Sequence, residues 1–181
     1  MKSSGLISLV AITLVTVGCS SMHHGHARFW SGVEKAVAVM HPTQGNRTSG
    51  VVSFEQTGEF VKIVADIKGL KPNAKHAIHV HALGDCSAPD AKSAGSHYNP
   101  SGHPHGSPRN PVRHAGDLGN LVADNRGEAH YELTVHNISI AGLRNPVIGR
   151  AVIIHAGEDK FVQPTGAAGP RIACGCIGVA K

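Results

Sequence analysis

His76-Ala77-Ile78-His79-Val80-His81 reads as a strand with two different faces. Side chains alternate along an extended chain, so Ile78 and Val80 share one face while Ala77, His79 and His81 share the other. The aliphatic pair faces a core. The imidazole pair therefore projects from the outer face of a sheet. Two residues of strand rise, roughly 6.6 Å, let both rings converge on one ion. Imidazole pairs of this kind suit copper, zinc, iron or nickel.

The same period of two runs outward in both directions. Val61, Ile63, Ala65 and Ile67 alternate with Lys62, Asp66 and Lys68, and Ala129, Tyr131, Leu133 and Val135 alternate with His130, Glu132, Thr134 and His136. Strands are predicted over 33–41, 51–56, 59–68, 76–83, 117–124, 128–136, 150–155 and 172–179. Eight short strands parted by turn residues predict an all-β sandwich or barrel. The 22 glycines and 10 prolines agree with many turns, and 4% aromatics leaves a core of Val, Ile, Ala and Leu. Two long irregular stretches, 84–116 and 156–170, interrupt the strands; loops of this length in a compact domain are usually functional. The first carries Cys86, His97, His103, His105 and His114, and His155 stands at the entrance to the second.

Fourteen histidines in 181 residues point to metal rather than to nucleic acid. The formal net charge is +5, one unit of it Lys2, and no Lys/Arg run or basic-aromatic pattern of a nucleic-acid binder is present. A mild positive field suits a small anionic substrate.

The N-terminus reads as a targeting segment. Lys2 precedes the apolar run Leu6 to Val17, which is too short for a membrane span. Gly18-Cys19 after that run resembles a bacterial lipobox, with Thr16 where Leu is usual. This predicts a signal peptide over 1–18 and lipidation of Cys19; ordinary secretory cleavage nearby is the alternative. Ser20 and Ser21 then favour the outer membrane. A flexible leader, 19–32, contains His23, His24 and His26, either a loose copper or zinc site or a solvated linker. Export implies an oxidising compartment where disulfides persist.

Placed in order, the motifs resemble one family from Val33 to the C-terminus. They are His79-Val80-His81, Gly84-Asp85-Cys86, His97-Tyr98-Asn99-Pro100, His105-Gly106, His114-Ala115-Gly116-Asp117-Leu118-Gly119-Asn120, His155 and Gly169-Pro170-Arg171-Ile172-Ala173-Cys174-Gly175. The chain over 33–181 resembles the copper/zinc superoxide dismutases in their bacterial exported form. The resemblance implies an eight-stranded Greek-key β-barrel with two functional loops. It implies one copper per subunit on His79, His81, His97 and His155, and one zinc on His97, His105, His114 and Asp117. Asp159 would accept hydrogen bonds from a ligand of each metal. Cys86 and Cys174 would form a disulfide, and Arg171 would attract and position superoxide. The activity implied is dismutation of superoxide to oxygen and hydrogen peroxide by alternate reduction and oxidation of copper, with a proton supplied through His97. Relatives of this kind occur as monomers and as homodimers.

Several positions depart from the family pattern. Ala77, Ile78 and Ala82 replace the common Gly, Phe and Glu. Lys160 stands where an acidic residue often follows the Asp, and would add positive charge near the substrate channel. Cys176 replaces an aliphatic residue; it reads as a small buried hydrophobe, with competition for Cys86 as the alternative. His41, His76, His103, His130 and His136 read as surface or hydrogen-bonded histidines, although His103 could exchange register with His105. A copper-buffering lipoprotein on the same fold is the competing function, and it would typically lack ligands or the arginine that are all present here.

Overall fold

The computed structural model describes residues 32–181, so the signal segment, Cys19 and the histidines His23, His24 and His26 lie outside the described residues. Eight antiparallel strands form one sheet: β1 Lys35–Pro42, β2 Ser49–Thr57, β3 Phe60–Lys68, β4 Lys75–His81, β5 Asp117–Val122, β6 Ala129–Val135, β7 Ala151–His155 and β8 Arg171–Val179. Their order is β5-β4-β7-β8-β1-β2-β3-β6, the crossed order of a Greek key, and the sheet curls into a nearly closed barrel. The seam between β5 and β6 is held by Tyr131, whose hydroxyl donates to the Leu118 carbonyl at 2.5 Å. Each strand lies within two residues of its predicted span.

Alternation decides which side chains fill the barrel. Val61, Ile63, Ala65 and Ile67 on β3 are buried together with Ile78 and Val80 on β4 and Val152 and Ile154 on β7. Each fully buried aliphatic of this size contributes roughly 1.5–3 kcal/mol, which makes the wall a stiff base. The wall's outer face is buried as well where β4, β7 and β8 meet. There Ala151, Ile153 and Cys174 pack under Ala91 and Ala94 of the 84–116 stretch. A single 3₁₀ turn, Lys92–Ala94, shapes this cover.

The cover is stitched to the barrel by main-chain bonds and one disulfide. β4 ends at His81 because the next two amides leave the sheet: Ala82 N donates to Ser96 O (2.8 Å) and Leu83 N to Ala94 O (3.0 Å). Further along, Tyr98 N donates to Val80 O and Val80 N to Gly116 O, both at 2.9 Å. Gly116 must be glycine for this crossing, since a Cβ there would stand 2.2 Å from Val80 O. Cys86 and Cys174 are disulfide-bonded with Cα atoms 5.8 Å apart, which ties the start of the loop to β8.

The expectation for Cys176 is corrected. It shares the outer face of β8 with Cys174, but the cover stops short of it. Cys176 is exposed and free, and its thiol donates to Gly84 O at 3.0 Å. The two cysteines therefore predict opposite outcomes. Cys86→Ser should cost the metal-free protein about 2–4 kcal/mol, read as a lower urea midpoint. Cys176→Ser should move the midpoint by less than about 0.5 kcal/mol equivalent.

Candidate metal centre

β4 delivers His79 and His81 to the outer face, and β7 delivers His155 beside them. His97 comes from the loop and is pinned opposite His81 by an isolated antiparallel bridge. Ligand-capable atoms of these four residues lie within 4.8 Å of one another, and all four side chains are buried. Each ring from the strands is aimed by its other nitrogen. His81 Nδ1 lies 2.8 Å from Gly95 O and His155 Nδ1 3.0 Å from Gly169 O. A carbonyl only accepts, so Nδ1 carries the proton on both rings and Nε2 keeps a free lone pair. His79 Nε2 donates to Asp159 Oδ2 at 2.9 Å, which leaves its Nδ1 as the free lone pair.

Those three free nitrogens, His79 Nδ1, His81 Nε2 and His155 Nε2, are buried and have no hydrogen-bond partner. An unsatisfied buried polar group costs about 1–3 kcal/mol, so three in one place call for a shared acceptor of lone pairs. Burial holds the imidazoles neutral, with His79 lowered to about 3, His81 to about 2 and His155 to about 4. A donor set of unprotonated imidazoles fits copper.

The second cluster shares His97 and adds His105, His114 and Asp117. Asp117 Oδ1 lies 3.1 Å from His97 Nδ1, 2.9 Å from His105 Nδ1 and 3.2 Å from His114 Nδ1. His97 Nδ1 and His114 Nδ1 are 3.4 Å apart. Ligands at 2.0–2.1 Å on a tetrahedron would be separated by about 3.3 Å, so these spacings fit zinc. Asp117 Oδ2 is occupied by the amides of Gly106 (3.0 Å) and His114 (3.1 Å), which turns Oδ1 toward the imidazoles. Burial would raise the Asp117 carboxyl, but hydrogen bonds from His105, His97 and Gly106 outweigh it and hold it well below the usual carboxylate range. Burial likewise would lower His105, but Asp117 and Asp159 outweigh it and raise the imidazole to about 9. The two carboxylates thus stabilise positive charge where a dication would sit.

Asp159 joins the clusters. Its Oδ2 accepts from His79 Nε2, and its Oδ1 accepts from His105 Nε2 at 2.8 Å. Asn120 grips its backbone from both sides, accepting from Asp159 N (2.7 Å) and donating to Asp159 O (3.0 Å). Arg171 stands opposite His155 in the β7–β8 ladder. Its guanidinium donates to Ala91 O (2.5 Å) and Gly95 O (2.6 Å). The residue is only partly buried, and two carbonyls use few of its five donors. Its charge adds to burial in lowering His81 and His155.

The family model for copper/zinc superoxide dismutase matches residues 48–177. The chain belongs to the copper/zinc superoxide dismutase family. Two relatives agree. A protein of Paramecium bursaria Chlorella virus 1 named superoxide dismutase [Cu-Zn] is 40% identical over 97% of this chain and 91% of its own length. Superoxide dismutase [Cu-Zn] 2 of Brassica juncea is 40% identical over 80% of this chain and 97% of its own.

For a member of this family the chain's spare histidines fall outside both clusters. His103 is exposed, its Nδ1 3.3 Å from Arg113 O, so it is His105 that joins the second cluster. His76 is buried with Nδ1 2.9 Å from His155 O, while His130 meets Asp66 on the surface at 2.7 Å. Lys160 is exposed. Sequence reasoning missed the main-chain acceptors, Gly95 above all, whose carbonyl holds both His81 and Arg171. It also missed Gly166, where a Cβ would stand 2.0 Å from Asp159 Oδ1 and 2.9 Å from His105 Nε2. Gly166→Ala should weaken binding of both metals about 10–100-fold in calorimetric titration of the metal-free protein. Gly45→Ala is the control, because Gly45 has an equally left-handed backbone but open space around it. It should leave both affinities within twofold.

Proposed function

We propose that this chain dismutates superoxide at a copper held by His79, His81, His97 and His155, beside a zinc held by His97, His105, His114 and Asp117. The observation that carries this reading is the convergence of three buried, unpartnered imidazole nitrogens a strand's width from a partly exposed arginine. Copper would supply the redox step, taking an electron from one superoxide and giving it to the next. The remaining chemistry falls to the chain's own atoms. Arg171 attracts the monoanion and orients it through donors that its two carbonyl partners leave free. The neutral rings of His79, His81 and His155 offer lone pairs without adding charge of either sign. His97 belongs to both clusters, and its Nδ1 lies toward Asp117, so its Nε2 would be the nitrogen left for the first cluster. That Nε2 is the atom placed to hold and deliver the proton that peroxide formation needs. Asp159 keeps the imidazoles of His79 and His105 from rotating.

The test is a superoxide dismutation assay on protein loaded with copper and zinc. His79→Ala should abolish activity. Arg171→Ala should lower kcat/KM by about tenfold and flatten its dependence on ionic strength, since guanidinium steering is screened by salt. A fully loaded wild type without activity would instead assign the chain to copper storage.

We further propose export in the manner of bacterial lipoproteins. Lys2, the apolar run Leu6 to Val17 and Gly18-Cys19 support it. The mature chain would be anchored through Cys19 to the outer membrane, facing the periplasm, and His23, His24 and His26 would pass copper to the site. Cys19→Ala should release the protein from membrane fractions. Deleting 23–26 should slow activation at limiting copper and leave the fully loaded enzyme unchanged.

A further inference from the structure

The β7–β8 loop closes on His105 from several directions. Asp159 takes its Nε2. The Phe161 ring lies nearly parallel to the imidazole, at 24° with centroids 6.4 Å apart. Gly166 leaves the room these contacts need. Gln163 does something different, because it holds the main chain. Its Oε1 accepts from His105 N at 3.0 Å and its Nε2 donates to His105 O at 2.8 Å. Only one orientation of the amide satisfies both groups, and only a side chain with a donor and an acceptor can do so. A carboxylate would face the carbonyl with two acceptors.

The surroundings of His105 make this pair the means of placing it. No strand or helix is present between Lys92–Ala94 and β5. Among the described residues, no backbone group bonds to either main-chain group of His105. Yet the ring must serve two fixed points at once, with Nδ1 2.9 Å from Asp117 Oδ1 and Nε2 2.8 Å from Asp159 Oδ1. Both nitrogens belong to one rigid ring, so a drift of its Cα breaks one contact or the other. Water could satisfy the two peptide groups but could not hold them in place.

We propose that Gln163 is a positioning residue for the zinc ligand His105, a role that rests on reading the second cluster as the zinc site. The amide acts as a one-residue strand, fixing the His105 backbone so that the imidazole meets the ion and Asp159 together. It thereby links zinc binding to the loop that runs on to Gly169 and Arg171.

Gln163 is exposed, so Gln163→Met removes both bonds while opening no cavity. Zinc affinity is measured by competition with a chromophoric chelator, and copper affinity separately, on wild type, Gln163→Met and the neighbouring surface variant Val162→Ala. The expected result is zinc binding about tenfold weaker in Gln163→Met. Copper affinity and the unfolding midpoint of the metal-free protein should stay at wild-type values, and Val162→Ala should change nothing. Zinc affinity within twofold of wild type in Gln163→Met overturns the proposal. So does an equal loss of both metals with a lowered midpoint, which would mark Gln163 as a general loop support. His114→Ala separates this from failure of the underlying reading. If wild-type zinc affinity is unaffected by that change, the second cluster is not the zinc site and the proposal falls with it.

Discussion

One carboxylate holding two imidazoles is the contact on which the site depends. Each half of the centre is assembled from parts that could move separately: His79 rides on a stiff strand, whereas His105 sits in a stretch without regular structure. Asp159 bonds to both rings at under 3 Å through separate oxygens, so one carboxylate orients both. A hydrogen bond to a charged acceptor is worth about 1.5–3 kcal/mol, and here two of them share a buried anion. Burial opposes that anion, yet hydrogen bonds from His105, His79 and the Phe161 amide hold its carboxyl well below the usual range. The carboxylate is thus permanently available as an acceptor, which fixes which nitrogen of His79 is left to bind an ion.

A second dependence runs through the Gly95 carbonyl and the disulfide behind it. Gly95 O accepts from His81 Nδ1 and from the Arg171 guanidinium, so a single oxygen sets the distance between that imidazole and the guanidinium. That oxygen belongs to a loop rather than a strand. It stays in place because Ala91 and Ala94 are packed on the barrel wall and because Cys86 is bonded to Cys174, three residues beyond Arg171. The disulfide therefore acts on geometry near the arginine as well as on chain entropy.

The barrel was legible in the sequence because burial on one face writes itself as period two, as in Val61, Ile63, Ala65 and Ile67. Of the clusters, alternation showed only the pair His79 and His81; the rest were implied by the resemblance of the motifs to a known family, and the structure brings His79, His81, His97 and His155 together, and His97, His105, His114 and Asp117. What stayed hidden was carried by the backbone. The carbonyls of Ala91, Gly95 and Gly169 have no letter of their own, and nothing in Ser93-Ala94-Gly95-Ser96 announces that one of them serves two side chains. Gln163 was hidden for a related reason: its partner is a peptide group, found only once two loops distant in sequence are folded together. Cys176 was misread because alternation reports which face a residue occupies, but not where the covering loop ends.

The charges around the two clusters follow a division of labour. In the first cluster burial holds His79, His81 and His155 neutral, and the carboxylates Asp117 and Asp159 both bear on His105, in the second. Arg171 makes its hydrogen bonds to Ala91 O and Gly95 O, both neutral carbonyls. Had either partner been an aspartate, the guanidinium would be held as firmly but its field would be largely cancelled. Carbonyl partners fix its position and leave its charge intact, with Asp90 acting on it only from a distance and itself paired with Lys92 at 2.7 Å. A small monoanion offers little surface for packing, so a cation whose charge no bonded carboxylate cancels is the main handle such a site can offer. That cation stands opposite His155 in the β7–β8 ladder, so in the proposed reaction one residue would supply both attraction and alignment.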